Sequence, residues 1–444
     1  MKSSWQKIRL KNVATIVGGG TPSTKHANYW GGDIPWLTPK DLSNHQKVYV
    51  SCGERNISRE GLDASSAKLV PPGTVLFTSR APIGYLAIAE REVSTNQGFK
   101  SLVLKDGYDS RFFYYLLRFY TPEIKMISTG SIFKEVSGSV LGHFEVSIPD
   151  YIEQKKIASM LSVLDDHITL LRETNATLEA IAQTLFKSWF VNFDPVRAKA
   201  EGRVPEGIDA ETAALFPDCF EKLELGMMPK GWKAFRVSDV VEIIKGKSYS
   251  SKDLVEIAST ALVTLKSFAR GGGFRLDGFK PYIGSYNQSQ VIKSGDLIVA
   301  YTDVTQAAEL IGKPAIVVNI QEFDTLVASL DVGIIKPRVK SVSRQFLYGL
   351  FKTSLFQSHT LAHTSGTTVL HLSKDAVGSF EFVCPERKIM EAFTTIAELI
   401  ARQNQNNIDE IRTLTTLRDK LLPKLISGQL RLPEIDAGIN KAAI

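Results

Sequence analysis

Cysteine is scarce in this chain. Cys52, Cys219 and Cys384 stand too far apart for a CxxC clip, which removes a disulfide framework and a cysteine zinc site. No apolar run approaches the ~18 residues of a membrane span, and Met1–Lys7 lacks the apolar core of a signal peptide. A cytoplasmic chain with no membrane partner is the expectation. Glycine and proline are missing from Glu153 to Asp194, so nothing in that stretch breaks a helix. Neither charge dominates: 53 Lys and Arg against 47 Asp and Glu leave a net charge of +6.

What is present is unevenly placed. Residues 1–150 carry 18 Lys and Arg against 13 Asp and Glu, residues 151–215 carry 7 against 10, residues 216–385 carry 19 against 16, and residues 386–444 carry 9 against 8. Two basic blocks around a mildly acidic segment are the pattern of a two-footed polyanion binder. Those blocks also repeat one another. "WQKIRLKNVATIVGGGTPSTK" aligns with "WKAFRVSDVVEIIKGKSYSSK" at an offset of 227, pairing Val13 with Val240 and Gly19 with Gly246. Further on, Gly130, Gly142, Phe144 and Pro149 align with Gly366, Gly378, Phe380 and Pro385 at an offset of 236.

Each repeat ends in a long heptad pattern. The first seam reads Ile157, Leu161, Leu164, Ile168, Leu171, Asn175, Leu178, Ala182, Leu185 and Trp189, with gaps alternating between four and three. The same 236-residue offset carries it onto Phe393, Ala397, Ile400, Asn404, Asn407, Ile411, Leu414, Arg418, Leu421 and Leu425. Two matching stripes on one chain bury each other best as an antiparallel pair, with Asn175, Asn404 and Asn407 fixing the register near its middle. Within the blocks, 73–79 and 295–302 read as strands, and 110–120 and 343–356 as helices, giving α+β domains. The domain plan is 1–150, 151–215 (long helix and linker), 216–385, and 386–444 (second long helix and tail).

Catalytic signatures fail on inspection. "KGKS" at 245–248 lacks the glycine that a phosphate loop needs five residues before Gly246, where Val241 stands. Asp150 and Glu153 are too close in sequence to come from the separate strands that gather nuclease carboxylates. His359 and His363 have helical spacing but no HExxH glutamate, so neither they nor His371 is expected to hold a metal.

The segment "LFKSWFVNFDPVRAKAEGRVPEGIDAETAALFPDCFEKLELGMMPKGWK" (185–233) and the tail "LRDKLLPKLISGQL" (417–430) resemble the specificity subunits of type I restriction-modification systems, as do "KLVPPGTVLFTSRAPIGYLAI" (68–88), "STNQGFKSL" (94–102) and "IPDYIEQKKIASML" (148–161). The resemblance covers essentially the whole chain. It implies two target-recognition domains joined by an antiparallel coiled coil, each reading one half of a split DNA site across a spacer that the coiled coil measures. It also implies partners: double-stranded DNA, two adenine methyltransferase subunits and translocating endonuclease subunits. Those subunits would hold the S-adenosylmethionine, ATP and Mg, with no cofactor and no catalysis in this chain.

Long donors in polar, Gly-flanked loops are the candidates for DNA contact. In the first block these are Lys25, Lys40, Arg80, Asn96, Gln97, Gly130, Ser131 and Lys134; in the second, Lys252, Lys266, Arg270, Arg275, Thr302, Gly366, Thr367 and Lys374. Arg80 is the first choice for a base contact, and the Gly130 and Gly366 loops are placed at phosphates. The competing readings are a self-sufficient DNA methyltransferase-nuclease, which would bind S-adenosylmethionine alone, and a coiled-coil protein scaffold, which would bind duplex DNA poorly. If the helices measure the spacer, four residues inserted near Asn175 should widen it by one base pair.

Overall fold

The computed structural model describes residues 5–43, 45–130, 134–305 and 307–432. The chain divides at Glu173/Thr174 and at Asn407/Ile408 into two compact units, so that each unit holds part of both long helices.

In the first unit the repeat motif builds two sheets and a ribbon. A five-stranded sheet runs in the order Ala14–Gly18, Lys100–Leu104, Val75–Ser79, Ile83–Ala89, Tyr49–Val50. A four-stranded sheet runs Arg55–Ile57, Trp30–Leu37, Val93–Thr95, Leu69–Val70, its central pair parallel. Gln6–Arg9 pairs with Glu145–Ile148 and brings the two ends of the block together. The strand expected at 73–79 starts at Val75, after the positive-φ Gly73, and all five of its residues are buried. The helix expected at 110–120 runs on from Ser110 to Met126, with Asp109 accepting a hydrogen bond from the Phe112 amide as its N-cap. Its buried face, Phe112, Phe113, Tyr115, Leu116, Leu117 and Ile124, anchors the core together with Ile157 and Leu161 of the first long helix.

The second unit repeats this plan. Val241–Lys245, Val332–Pro337, Leu297–Ala300 and Pro314–Ile316 form one sheet. Lys280–Pro281, Thr260–Val263, Thr325–Ala328 and Val291–Ile292 form the other, again around a parallel central pair. Lys233–Arg236 closes on Glu381–Cys384. Equivalent residues even share hydrogen bonds: the Leu10 amide donates to the Phe144 carbonyl at 3.1 Å, and the Val237 amide to the Phe380 carbonyl at 2.9 Å. Gly19 and Gly246 sit where a Cβ would stand 2.2 and 2.0 Å from a carbonyl oxygen of the neighbouring strand end, so both repeats need glycine there. The helix expected over 343–356 is two helices, Arg344–Phe351 and Ser354–Ala362. Thr353 interrupts it with extended backbone (φ −66°, ψ 149°) and caps the second with its hydroxyl.

The first long helix spans Tyr151–Lys187, 37 residues, and passes into a π-turn at Ser188–Asn192. Phe193 then takes a left-handed conformation (φ 57°) and turns the chain away. Trp189, Phe186, Phe190, Phe216, Trp232, Phe346 and Phe393 pack as one aromatic cluster around that end. The second long helix spans Arg387–Ile426, 40 residues. Every predicted seam residue is buried or half-buried: Ile157, Leu161, Ile168, Leu171, Asn407 and Ile411 are buried, and Leu164, Asn175, Leu178, Leu185, Ile400, Asn404, Leu414 and Leu421 are half-buried. The pairing is antiparallel. Within the first unit Arg418 meets Asp165 and Ile411 packs on Ile168 and Leu171; within the second Asn407 meets Asn175. Among the described residues no helix is long and apolar enough to cross a membrane.

Candidate nucleic-acid interface

The repeat places most candidate residues at matching positions in the two units. One cluster forms where strand Val75–Ser79, or its counterpart Leu297–Ala300, runs into a hairpin closed by a glycine tip. In the first unit Thr129 and Glu135 exchange backbone hydrogen bonds of 3.0 and 2.9 Å around Gly130, which has a φ of 110°. In the second, Thr364–Ser365 pairs with Leu370–Leu372 around Gly366, which has a φ of 104°. Positive φ is why glycine occupies both tips. Lys134 and Thr367 are exposed on these hairpins, while Ser131 lies outside the described residues.

Arg80 and Thr302 occupy the same place, each bridged to its hairpin, Arg80 to Glu135 and Thr302 to His371. Their side chains behave differently. Arg80 is half-exposed and ion-paired to Glu135 at 3.4 Å, with Lys100 on the other carboxylate oxygen at 3.4 Å. One carboxylate shared by two cations leaves net positive charge at the surface. Thr302 is buried, its hydroxyl 3.5 Å from Nδ1 of His371, and it supports the hairpin from below. Lys374, beyond that hairpin, is exposed and lines a cavity with Lys245, Arg338 and Tyr301, whose buried hydroxyl has no hydrogen-bond partner among the described residues.

A second cluster surrounds the small sheet. The Asn96 side chain accepts from the Gly98 amide at 2.9 Å and so shapes the turn, which leaves exposed Gln97 to meet the Thr21 hydroxyl at 2.5 Å. Lys25 and Lys252 are exposed at matching positions. Lys40 and Lys266 follow equivalent central strands; Lys40 is exposed and paired with Glu54 at 2.7 Å, and Lys266 is exposed. Arg270 pairs with Glu309 at 3.2 Å. Arg275 is held by Asp277 through two hydrogen bonds of 2.8 and 2.6 Å, and those bonds keep the Asp277 carboxyl below its ordinary range. A committed guanidinium of this kind is a poorer reader than one with a spare donor edge.

Sequence reasoning missed a feature common to both small sheets. The Arg55 guanidinium lies 3.6 Å from the Trp30 ring centroid, and the Lys280 ammonium lies 5.1 Å from that of Tyr249 while donating to its hydroxyl at 2.9 Å. Both cations stand on the edge strand next to the central parallel pair. Stacking fixes a long side chain while its charge keeps facing outward. Partners 25 and 31 positions apart carry no local sequence signal. Elsewhere, Nε2 of His359 donates to the Ala376 carbonyl at 2.9 Å and lies 3.2 Å from the Ser379 hydroxyl.

Comparison with known proteins gives this architecture a family. A family profile described as the type I restriction modification DNA specificity domain matches residues 2–180 and 229–412, one match per repeat. The MjaIX specificity subunit of Methanocaldococcus jannaschii, a type I restriction enzyme component, is 34% identical over 443 residues, covering 97% of this chain and 94% of the relative. The HindI specificity subunit of Haemophilus influenzae is 24% identical over 490 residues, covering 96% and 100%. Among solved structures, the S subunit of a type I restriction-modification system from M. genitalium shares the fold, with a TM-score of 0.54 at 15% identity and 96% of each chain covered. With two matched domains, two long helices and a full-length relative above 30% identity, this chain belongs to the type I restriction-modification specificity subunits.

Proposed function

We propose that the chain reads an asymmetric, bipartite DNA site, one half through residues 1–150 and the other through 216–385, while the paired helices set the spacer between the halves. The observation that carries this reading is one topology used twice with different side chains, and different exposure, at matching positions. Half-exposed Arg80 and Asn96 stand where Thr302 and Ser329 are buried, and exposed Lys374 stands where the first unit has Gly138. A shared scaffold with divergent readers suits two different half-sites. Exposed Lys25, Lys134, Lys252, Lys266 and Lys374, with the stacked Arg55 and Lys280, suit phosphates, where charge and not sequence is recognised.

On this reading the subunit positions chemistry done by others. Two adenine methyltransferase subunits and translocating endonuclease subunits dock on it and bring S-adenosylmethionine, ATP and Mg. The test is methylome sequencing of the host with residues 1–150 exchanged for the block of a relative. One half-site of one adenine-methylated motif should change while the other stays; a simultaneous change in both halves defeats the proposal.

A further inference from the structure

The two long helices come from one repeated sequence, and within the chain each pairs with the other. Polar residues in and beside the seam distinguish this pairing from the alternatives. In the first unit Asp165 is buried, with the Arg418 guanidinium donating to one carboxylate oxygen at 2.5 Å and the Tyr115 hydroxyl to the other at 2.8 Å. In the second, the Asn407 amide donates to the Asn175 side-chain oxygen at 2.7 Å, Gln403 donates to the Asn407 oxygen at 2.9 Å, and Asn175 donates to the Asn404 carbonyl at 3.4 Å.

The repeat offset of 236 shows what stands at each counterpart position. Asp165 falls on Ala401, Arg418 on Ala182, Asn175 on Ile411, and Asn407 on Leu171. At these four positions one helix is polar and its sister apolar, and two of the apolar counterparts are in use: Leu171 and Ile411 pack with Ile168 in the first unit. Identical helices in the same antiparallel register would therefore mismatch every polar layer. Two first helices would set Asp165 against Ala182 and Asn175 against Leu171. Two second helices would set Arg418 against Ala401 and Asn407 against Ile411. Symmetry makes each fault occur twice. A buried ion without its partner, or a buried amide facing a Leu or Ile, is penalised with no hydrogen bond in return.

We infer that Asp165, Arg418, Asn175 and Asn407 form a heterotypic pairing code, so that the seam of each long helix accepts only the other helix, from the same chain or from a second copy, and rejects its own kind. The two repeats thereby close on each other even though their helices descend from one motif.

The test uses full-length chains with two different tags. A copy with Asp165→Arg opposes two cations inside itself, and a copy with Arg418→Asp opposes two carboxylates. Each alone should melt roughly 5 to 15 °C below the unaltered protein. Expressed together, they can restore both ion pairs by exchanging helices, so the two tags should co-purify as a one-to-one dimer, while two unaltered copies should not. The double variant D165R/R418D within one chain should regain most of the lost melting temperature and stay monomeric, which separates lost pairing from lost folding. The inference is overturned if the single variants melt like the unaltered chain, if co-expressed copies fail to co-purify, if either single variant dimerises with itself as readily as with the other, or if the double variant melts no higher than the singles.

Discussion

Glu179 of the first long helix accepts hydrogen bonds of 2.8 Å from both Lys352 and the Tyr348 hydroxyl, which ties the short helix Arg344–Phe351 to the long one inside the second unit. Burial pushes the carboxyl pKa up, but the Lys352 charge and hydrogen bonds from Lys352, Gln183 and Tyr348 outweigh it and leave the pKa below its ordinary value. A carboxylate depressed in the folded state contributes stability that is present above its unfolded pKa, near 4.5, and is lost as pH falls through the folded value. Thermal melts from pH 7 down to pH 3 should show this loss below about pH 4.5, and Glu179→Gln should flatten that part of the profile. An unchanged acid limb in the variant would assign the loss to other carboxylates.

Arg80→Ala should weaken recognition of the first block's half-site by about 1 to 3 kcal/mol if a base accepts both guanidinium donors. Glu135→Gln offers the opposite case, since it releases Arg80 and Lys100 from their shared carboxylate. It should raise DNA affinity of the assembled methyltransferase, read by titration at fixed salt. Equal affinities in all three proteins would confine Arg80 to holding the hairpin.

Arg55→Ala and Lys280→Ala should each weaken DNA binding evenly across sequences and lower the slope of log affinity against log salt by about 1. A loss confined to the cognate sequence would turn these cations from phosphate contacts into readers.

The spacer is the fourth measurement. Four residues lengthen a helix by about 6 Å and leave a net rotation of about 40°, close to the roughly 35° that one base pair adds. An insertion into one helix alone shifts Asp165 away from Arg418 or Asn175 away from Asn407, so matched insertions after Glu173 and after Asn407 are the cleaner change. They keep both polar layers. Methylome mapping should then return both half-sites with a spacer one base pair longer; the original spacer at full activity would remove the helices from that role.

The sequence carried what recurs locally. Heptad gaps made both helices visible, the first also through its lack of Gly and Pro, and the 236-residue offset matched Gly130 with Gly366 at equivalent hairpin tips. Arg418 was visible as a polar residue in an apolar stripe, but Asp165 was not, because it sits beside the seam and its partner lies 253 positions away. The split of 343–356 was hidden for another reason: Thr353 tolerates helix and cap alike, and only the packed core selects the cap. Surface polarity found Lys25 and Lys252 but could not tell free donors from committed ones such as Arg275, whose hold on Asp277 is a matter of side-chain geometry.

The aromatic cluster at the end of the first long helix also gives the protein a built-in optical reporter. Of its five tryptophans, Trp189 and Trp232 are buried in that cluster in the second unit, while Trp5, Trp30 and Trp36 belong to the first. Replacing Trp5, Trp30 and Trp36 with phenylalanine leaves blue emission that shifts red only when the second unit opens. Restoring Trp30 alone adds a fluorophore lying under the Arg55 guanidinium, at the surface proposed to meet DNA. The two units thus differ in colour, and unfolding of one can be followed apart from ligand binding at the other without attaching a label.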